Sequence, residues 1–133
     1  MKVLIDTSCW IQTFRNPNSF EAQVIGALLK ENAVVTSSLI IAELLQGAKG
    51  SKEKLFLENE FNVIPILEGI DRLGLKIGEL GLNLRKNGYN LALVDLALSA
   101  LAIEHKVLIY SLDSHFLLIT KHSSLQLFTP LKH

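Results

Sequence analysis

Short apolar blocks alternate with stretches of helical period along the whole chain. Val3, Leu4 and Ile5 form a β-favouring run that stops on Asp6, which predicts a strand over residues 2–6. Trp10, Ile11 and Phe14 follow at helical spacing, so a short helix is expected over 8–14, broken by Arg15-Asn16-Pro17-Asn18. Asn18, with Glu21 three residues on, has the form of a capping box and opens a helix carrying Val24, Ile25, Leu28 and Leu29. Residues 33–36 read as a second strand. Ser37 or Ser38 then caps a helix through Leu39, Ile40, Ile41, Leu44 and Leu45, which Gly47 and Gly50 end.

The second half repeats the alternation. Ser51 starts an amphipathic helix with Leu55, Phe56, Leu57 and Phe61. Residues 62–66 suit a short edge strand, because Pro65 has no N–H to give a ladder. Between Gly69 and Gly88, Ile70, Leu73, Ile77, Leu80 and Leu84 recur at helical spacing, while Gly74, Gly78 and Gly81 share another stripe. Each interior glycine costs a helix about 1 kcal/mol relative to alanine. The stripe is therefore either a weakness or a face made flat for a second helix, internal or from another subunit. Residues 91–104 read as a buried helix and 107–110 as a strand. A short helix over 113–119 and a last strand over 125–128 follow, before Pro130. Strands separated by helices imply βαβ units: an α/β fold with a mostly parallel sheet of four to five strands and helices on both faces.

Composition narrows the class. At 133 residues the chain suits one domain, and its 49% hydrophobic content with mean hydropathy +0.33 predicts a packed core. Thirteen basic and thirteen acidic side chains cancel, which argues against a generic electrostatic nucleic-acid binder but not against a local basic rim. One cysteine allows neither an internal disulfide nor a Cys-based zinc site and fits a reducing cytoplasm. Asp6 interrupts the first apolar run, so no secretory leader is expected. The longest apolar stretch, 91–103, contains Asp95 and is too short to span a bilayer.

Four acids stand where acids are awkward. Asp6 and Asp113 each close a buried strand, and either could simply cap the helix that follows. Glu43 lies within Leu39-Ile40-Ile41-Ala42-Glu43-Leu44-Leu45, and Asp95 within Leu91-Ala92-Leu93-Val94-Asp95-Leu96. Acids are rarely buried unless paired or bound to a metal. A helix dipole accounts for a first-turn Asp95 but not for the apolar residues around it. Two acids at strand ends and two on inward-facing helices can converge on one cleft, where their repulsion calls for a divalent cation. Oxygen donors without clustered Cys or His point to Mg2+ or Mn2+.

Other candidates fare worse. Cys9 and Arg15 have phosphatase-loop spacing, but the five residues between them are too bulky to cradle phosphate. A dehalogenase-type phosphatase needs a second acid at position 8, which is Ser8. His105 and His133 read as surface residues, and His115 stands two residues past Asp113, near the expected cleft. Lys49, Lys52 and Lys54 are either a solvated face or a rim beside Glu43.

Four stretches in order resemble the PIN-domain ribonucleases, specifically the VapC-type toxins of toxin–antitoxin pairs. They are Val3-Leu4-Ile5-Asp6-Thr7-Ser8-Cys9-Trp10-Ile11, Glu43-Leu44-Leu45-Gln46-Gly47, Asp95 with its small-residue helix, and Ser111-Leu112-Asp113-Ser114-His115-Phe116. Ser111 replaces a usual Thr, His115 stands where many members carry a further acid, and a Pro that often precedes the third acid is missing. The resemblance implies a PIN-like three-layer α/β/α sandwich and Mg2+- or Mn2+-dependent endoribonuclease activity. It also implies inhibition by a cognate antitoxin and frequent homodimerisation. It places Asp6, Glu43, Asp95 and Asp113 as catalytic and metal-binding residues, with the Thr7, Ser8 and Ser111 hydroxyls on the RNA phosphate or fixing the carboxylates. A catalytically inactive PIN-like scaffold or regulatory module is the alternative, and the presence of all four acids disfavours it.

Overall fold

The structure, a computed structural model, describes residues 1–131. His133 lies outside the described residues. Strand β1 (Val3–Ile5) leads into helices α1 (Thr7–Arg15) and α2 (Phe20–Lys30), then β2 (Val34–Val35), α3 (Ser38–Gln46) and α4 (Ser51–Phe61). A 3-10 turn (Ile70–Arg72) precedes α5 (Gly74–Lys86), α6 (Leu93–His105), β3 (Leu108–Tyr110) and α7 (Ser114–Thr120).

The sheet is parallel, in the order β2-β1-β3. Val3, Leu4 and Ile5 are all buried, as a central strand covered on both faces requires. From β1 the chain crosses to β2 on one side and later returns to β3 on the other. The strand order therefore reverses at β1, and the crevice beyond the carboxyl ends of β1 and β3 is the switch point where α/β folds place ligands. Register sets that crevice: Ile5 pairs with Tyr110, and the Asp6 N–H donates to the Tyr110 carbonyl at 2.9 Å. Asp6 and Ser111 consequently leave the sheet side by side.

The helices form two groups around the sheet. On one side α1 packs on α2 and α3, and α3 on α4; on the other α5 packs on α6, and α6 on α7 and β3. The core runs between them through Leu4, Ile5, Ile40, Leu84, Leu98 and Phe116, all essentially inaccessible. Each such side chain contributes about 1.5–3 kcal/mol relative to exposure. Helix α6 is buried without interruption from Leu96 to Ala102, as its apolar sequence predicts.

Three expectations need correction. Among the described residues the sheet has three strands rather than four to five. Residues 62–66 and 125–128 supply one parallel bridge each, Thr36 with Ile66 and Ile109 with Leu127. Pro65 offers only its carbonyl, which accepts from the Thr36 N–H at 2.9 Å, and Pro130 stops the other segment within three residues of its bridge. Helix α2 is capped by Ser19, whose Oγ accepts from the Ala22 N–H at 3.1 Å, not by Asn18. The glycine stripe divides: a Cβ on Gly81 would meet Leu96 Cδ1 at 2.9 Å, whereas Cβ atoms on Gly74 and Gly78 would meet nothing within 4 Å. Only Gly81 is needed for the packing of α5 on α6.

Candidate metal centre

Asp6, Asp95 and Asp113 sit where their sequence neighbourhoods put them. β1 ends on Asp6 because the next residues, Thr7-Ser8-Cys9-Trp10, start α1, and Asp6 caps that helix. β3 ends at Tyr110 and Asp113 caps α7 in the same way, its Oδ1 accepting from the His115 N–H at 2.9 Å. Asp95 lies in the first turn of α6. Three helix N-termini thus point into one crevice, and each favours a carboxylate by about 0.3–1 kcal/mol. Both Asp6 and Asp113 cap the helices that follow them, and both stand at the carboxyl edge of the sheet beside Asp95.

Asp6 is 7% exposed and is held by two hydroxyls. Ser8 Oγ and Ser111 Oγ each donate to Asp6 Oδ2 at 2.8 Å. The same oxygens accept from the loop after β3: Ser8 Oγ from the Leu112 N–H at 3.0 Å, and Ser111 Oγ from the Asp113 N–H at 2.9 Å. This clamp ties the end of β1 to the end of β3 through a buried carboxylate.

Asp95, Asp113 and His115 offer ligand atoms that all lie within 4.8 Å of one another. His115 Nδ1 stands 3.3 Å from Asp95 Oδ2 and 3.3 Å from Asp113 Oδ1. Burial pushes the Asp95 carboxyl above the usual carboxylate range, and the Asp113 and Asp6 charges add to the rise against the opposing hydrogen bond from His115. Glu43 is placed differently. It is exposed on α3 and accepts from Thr7 Oγ1 at 2.9 Å, so it reaches the cluster through the residue after Asp6. Neither Asp6 nor Glu43 belongs to the tight group of three. Of the hydroxyls expected on substrate, Ser8 and Ser111 are turned to Asp6 and Thr7 to Glu43.

The donor set suits a hard divalent cation. Asp95, Asp113 and His115 offer the close ligand atoms, with Asp6 beside them, and burial followed by neighbouring charge favours the protonated form of Asp95, which a cation reverses. One alternative falls away. Cys9 is buried in α1 with its thiol pushed up to about 12, first by burial and then by Asp6, so it is no nucleophile. Lys54 pairs with Glu58 at 3.8 Å, whereas Lys49 and Lys52 line a groove that also contains Glu43. His105 is exposed, as expected, and its Nε2 reaches the Glu68 carbonyl at 2.6 Å.

The groove was not foreseen from sequence. It has a volume of about 770 Å³ and runs between α1–α2 and α3–α4, lined by Trp10, Phe14, Ile25, Leu44 and Phe56 among others. The exposed Phe56, on a helix whose polar residues dominate, is the signal that marks it.

Comparison with known proteins gives this arrangement a family. The PIN domain matches residues 3–121. The VapC ribonuclease Mb1587 of Mycobacterium bovis and ribonuclease VapC11 of Mycobacterium tuberculosis are each 30% identical over 128 residues, covering 93% of this chain and 96% of theirs. The fold is similar to VapBC2 of Rickettsia felis, solved with a promoter DNA fragment, at TM-score 0.77 and 20% identity over 96% of this chain and 98% of that one. VapBC-1 of nontypeable Haemophilus influenzae gives TM-score 0.77 and 22% identity, over 96% and 97%. The chain belongs to the PIN-domain family, among the VapC-type ribonucleases.

Proposed function

We propose that this protein is an Mg2+- or Mn2+-dependent endoribonuclease, the toxin of a toxin–antitoxin pair, acting as one domain in the cytoplasm. The observation that carries the reading is the gathering of Asp6, Asp95 and Asp113 at three helix N-termini on the switch point of the sheet. The family and its ribonuclease relatives support the substrate class.

Asp6, Asp95 and Asp113 are the residues that would hold the ion, with Glu43 at its edge. A bound ion supplies Lewis-acid polarisation of the phosphoryl oxygen and a water of lowered pKa. The chain's own residues do the rest. Ser8 and Ser111 hold Asp6 in place by donating to one of its oxygens. Thr7 fixes Glu43, which is exposed and free on its other oxygen to orient the attacking water and take its proton. His115 Nδ1 holds Asp95 and Asp113 together by bridging them. In-line displacement would leave a 5′-phosphate and a 3′-hydroxyl.

Two partners belong to this reading. The apolar groove beside Glu43 suits a segment of an antitoxin, with a basic side chain reaching the acidic cluster. The open face of α5, with Gly74, Gly78 and the 85%-exposed Leu75, suits a second copy of the chain. Incubation with end-labelled single-stranded RNA and Mn2+ tests the activity. Cleavage that EDTA stops, with 5′-phosphate products, is expected; intact RNA, or cleavage indifferent to EDTA, would overturn it.

A further inference from the structure

Beyond the acidic crevice, one surface cluster combines aromatic rings with unpaired cations. Helix α5 ends at Lys86, and Gly88 at φ 90° turns the chain so that the Tyr89 N–H reaches the Leu84 carbonyl at 2.9 Å. That turn sets Tyr89 beside Arg85 and Lys86, just ahead of the α6 turn that carries Asp95. Helix α7 runs from its cap Asp113 to Lys121 and His122, where the His122 N–H donates to the Ile119 carbonyl at 3.1 Å. The two segments meet: the Tyr89 and His122 rings lie 5.7 Å apart, inclined at 51°. The rings are inclined rather than stacked face to face, and Tyr89 is 39% exposed. Among the described residues, Arg85, Lys86 and Lys121 are in no ion pair, unlike Lys54 and Lys76.

We propose that Tyr89 and His122, flanked by Arg85, Lys86 and Lys121, form a base-stacking subsite for single-stranded RNA leading into the acidic crevice. The proposal rests on the ribonuclease reading above. The chemistry is that of single-strand binding: an aromatic face takes a base of any sequence, and cations follow the phosphates. Base edges have no part in it. A chain of zero net charge needs such a local platform, because three carboxylates at the reaction centre repel the substrate on their own. Position fits too. From Asp113 to Lys121 the helix advances about 12 Å, which at about 3.4 Å per stacked nucleotide is three to four nucleotides. The subsite would hold a flanking base while a phosphate further along the strand sits in the crevice. Three cations beside the two rings favour a polyanion over a protein surface, although Leu82 and Leu117 are exposed on the same two helices.

The test separates binding from cleavage. Anisotropy of a fluorescein-labelled adenosine 12-mer is measured in EDTA on wild type, Tyr89→Phe, Tyr89→Ala and the double variant Arg85→Ala/Lys121→Ala, beside a duplex RNA of equal length. Loss of one base stack weakens binding roughly ten- to hundredfold. That loss is expected for Tyr89→Ala on the single strand, with Tyr89→Phe near wild type and duplex affinity unmoved. The double variant should flatten the salt dependence. In Mn2+, Tyr89→Ala should raise KM and leave kcat unchanged. Wild-type affinity for the single strand in Tyr89→Ala, or an equal loss on duplex, overturns the subsite while RNA cleavage stands. Stacking-dependent binding without any cleavage retains the subsite and overturns the ribonuclease reading. Thermal melts of the Tyr89 variants check that the exposed side chain is replaced without unfolding.

Discussion

Replacing Ser111 by alanine removes a hydroxyl that does two things at once. It donates to Asp6 Oδ2 at 2.8 Å and accepts from the Asp113 N–H at 2.9 Å. A hydrogen bond to a charged group contributes about 1.5–3 kcal/mol, and the Asp6 carboxylate it leaves behind is almost inaccessible to water. Ser8 still donates to the same oxygen, so part of the loss is recovered. The net expectation is about 2 kcal/mol, which for a chain of this size lowers Tm by about 4–8 °C. Melts in EDTA measure it, with Ser111→Thr as the control that keeps the hydroxyl. Ser8→Ala should cost a similar amount, because Ser8 makes the mirror-image pair of bonds to Asp6 and the Leu112 N–H. The double variant should cost more than the two singles summed, since each hydroxyl backs up the other on one oxygen. If Ser111→Ala melts with the wild type, or the two variants add simply, the clamp does not hold Asp6 and the site is organised by something else.

Further outcomes follow from the same contacts. In the folded, metal-free protein the Asp95 carboxyl binds its proton more tightly than in the unfolded chain, so its contribution to stability is full at acid pH and is lost as pH rises through the raised value. Asp95→Asn should flatten that decline, and Mn2+ should offset it in wild type only. Thr7→Val frees Glu43 and should lower kcat for RNA while leaving Tm within about 1 kcal/mol equivalent of wild type, since the bond is exposed. Gly78→Ala should stabilise the monomer by up to about 1 kcal/mol, because its Cβ meets open space; Gly81→Ala should gain less than Gly78→Ala, because the end of the Leu96 side chain must shift. Sedimentation of Gly78→Ala and Leu75→Asp against wild type reads whether the α5 face joins two copies: a wild-type monomer at micromolar concentration ends that idea.

The sequence carried the elements with strong local signals and lost those decided by distant partners. β1 and the middle of α6, Leu96 to Ala102, were legible because their apolar runs are continuous and are buried in the structure. Asp6 and Asp113 were legible as strand-end acids, because a strand that stops on a cap residue leaves its carboxylate at the carboxyl edge. The outer strands were not: residues 62–66 and 125–128 have strand composition, but a parallel ladder needs free N–H groups over several residues, and Pro65 and Pro130 limit each to a bridge. Ser19 displaced Asn18 as a cap by one position, a choice that hangs on loop geometry no pattern encodes. Gly81 alone earned a packing role because Leu96 comes from another helix. His115 was visible as a neighbour of Asp113, yet only the fold shows it touching Asp95, twenty residues earlier in the chain. The buried faces of Phe116 and Ile119 turn His115 outward to the crevice, a deduction the helical spacing would have permitted.

The central claim is that Asp6, Asp95 and Asp113 hold a divalent cation. Crystals soaked in MnCl2 and measured at the manganese absorption edge test it most directly. The account predicts an anomalous peak among these three carboxylates, absent from Asp95→Asn crystals treated in the same way. A peak elsewhere on the protein with this crevice empty, or an undiminished peak in Asp95→Asn, would contradict it.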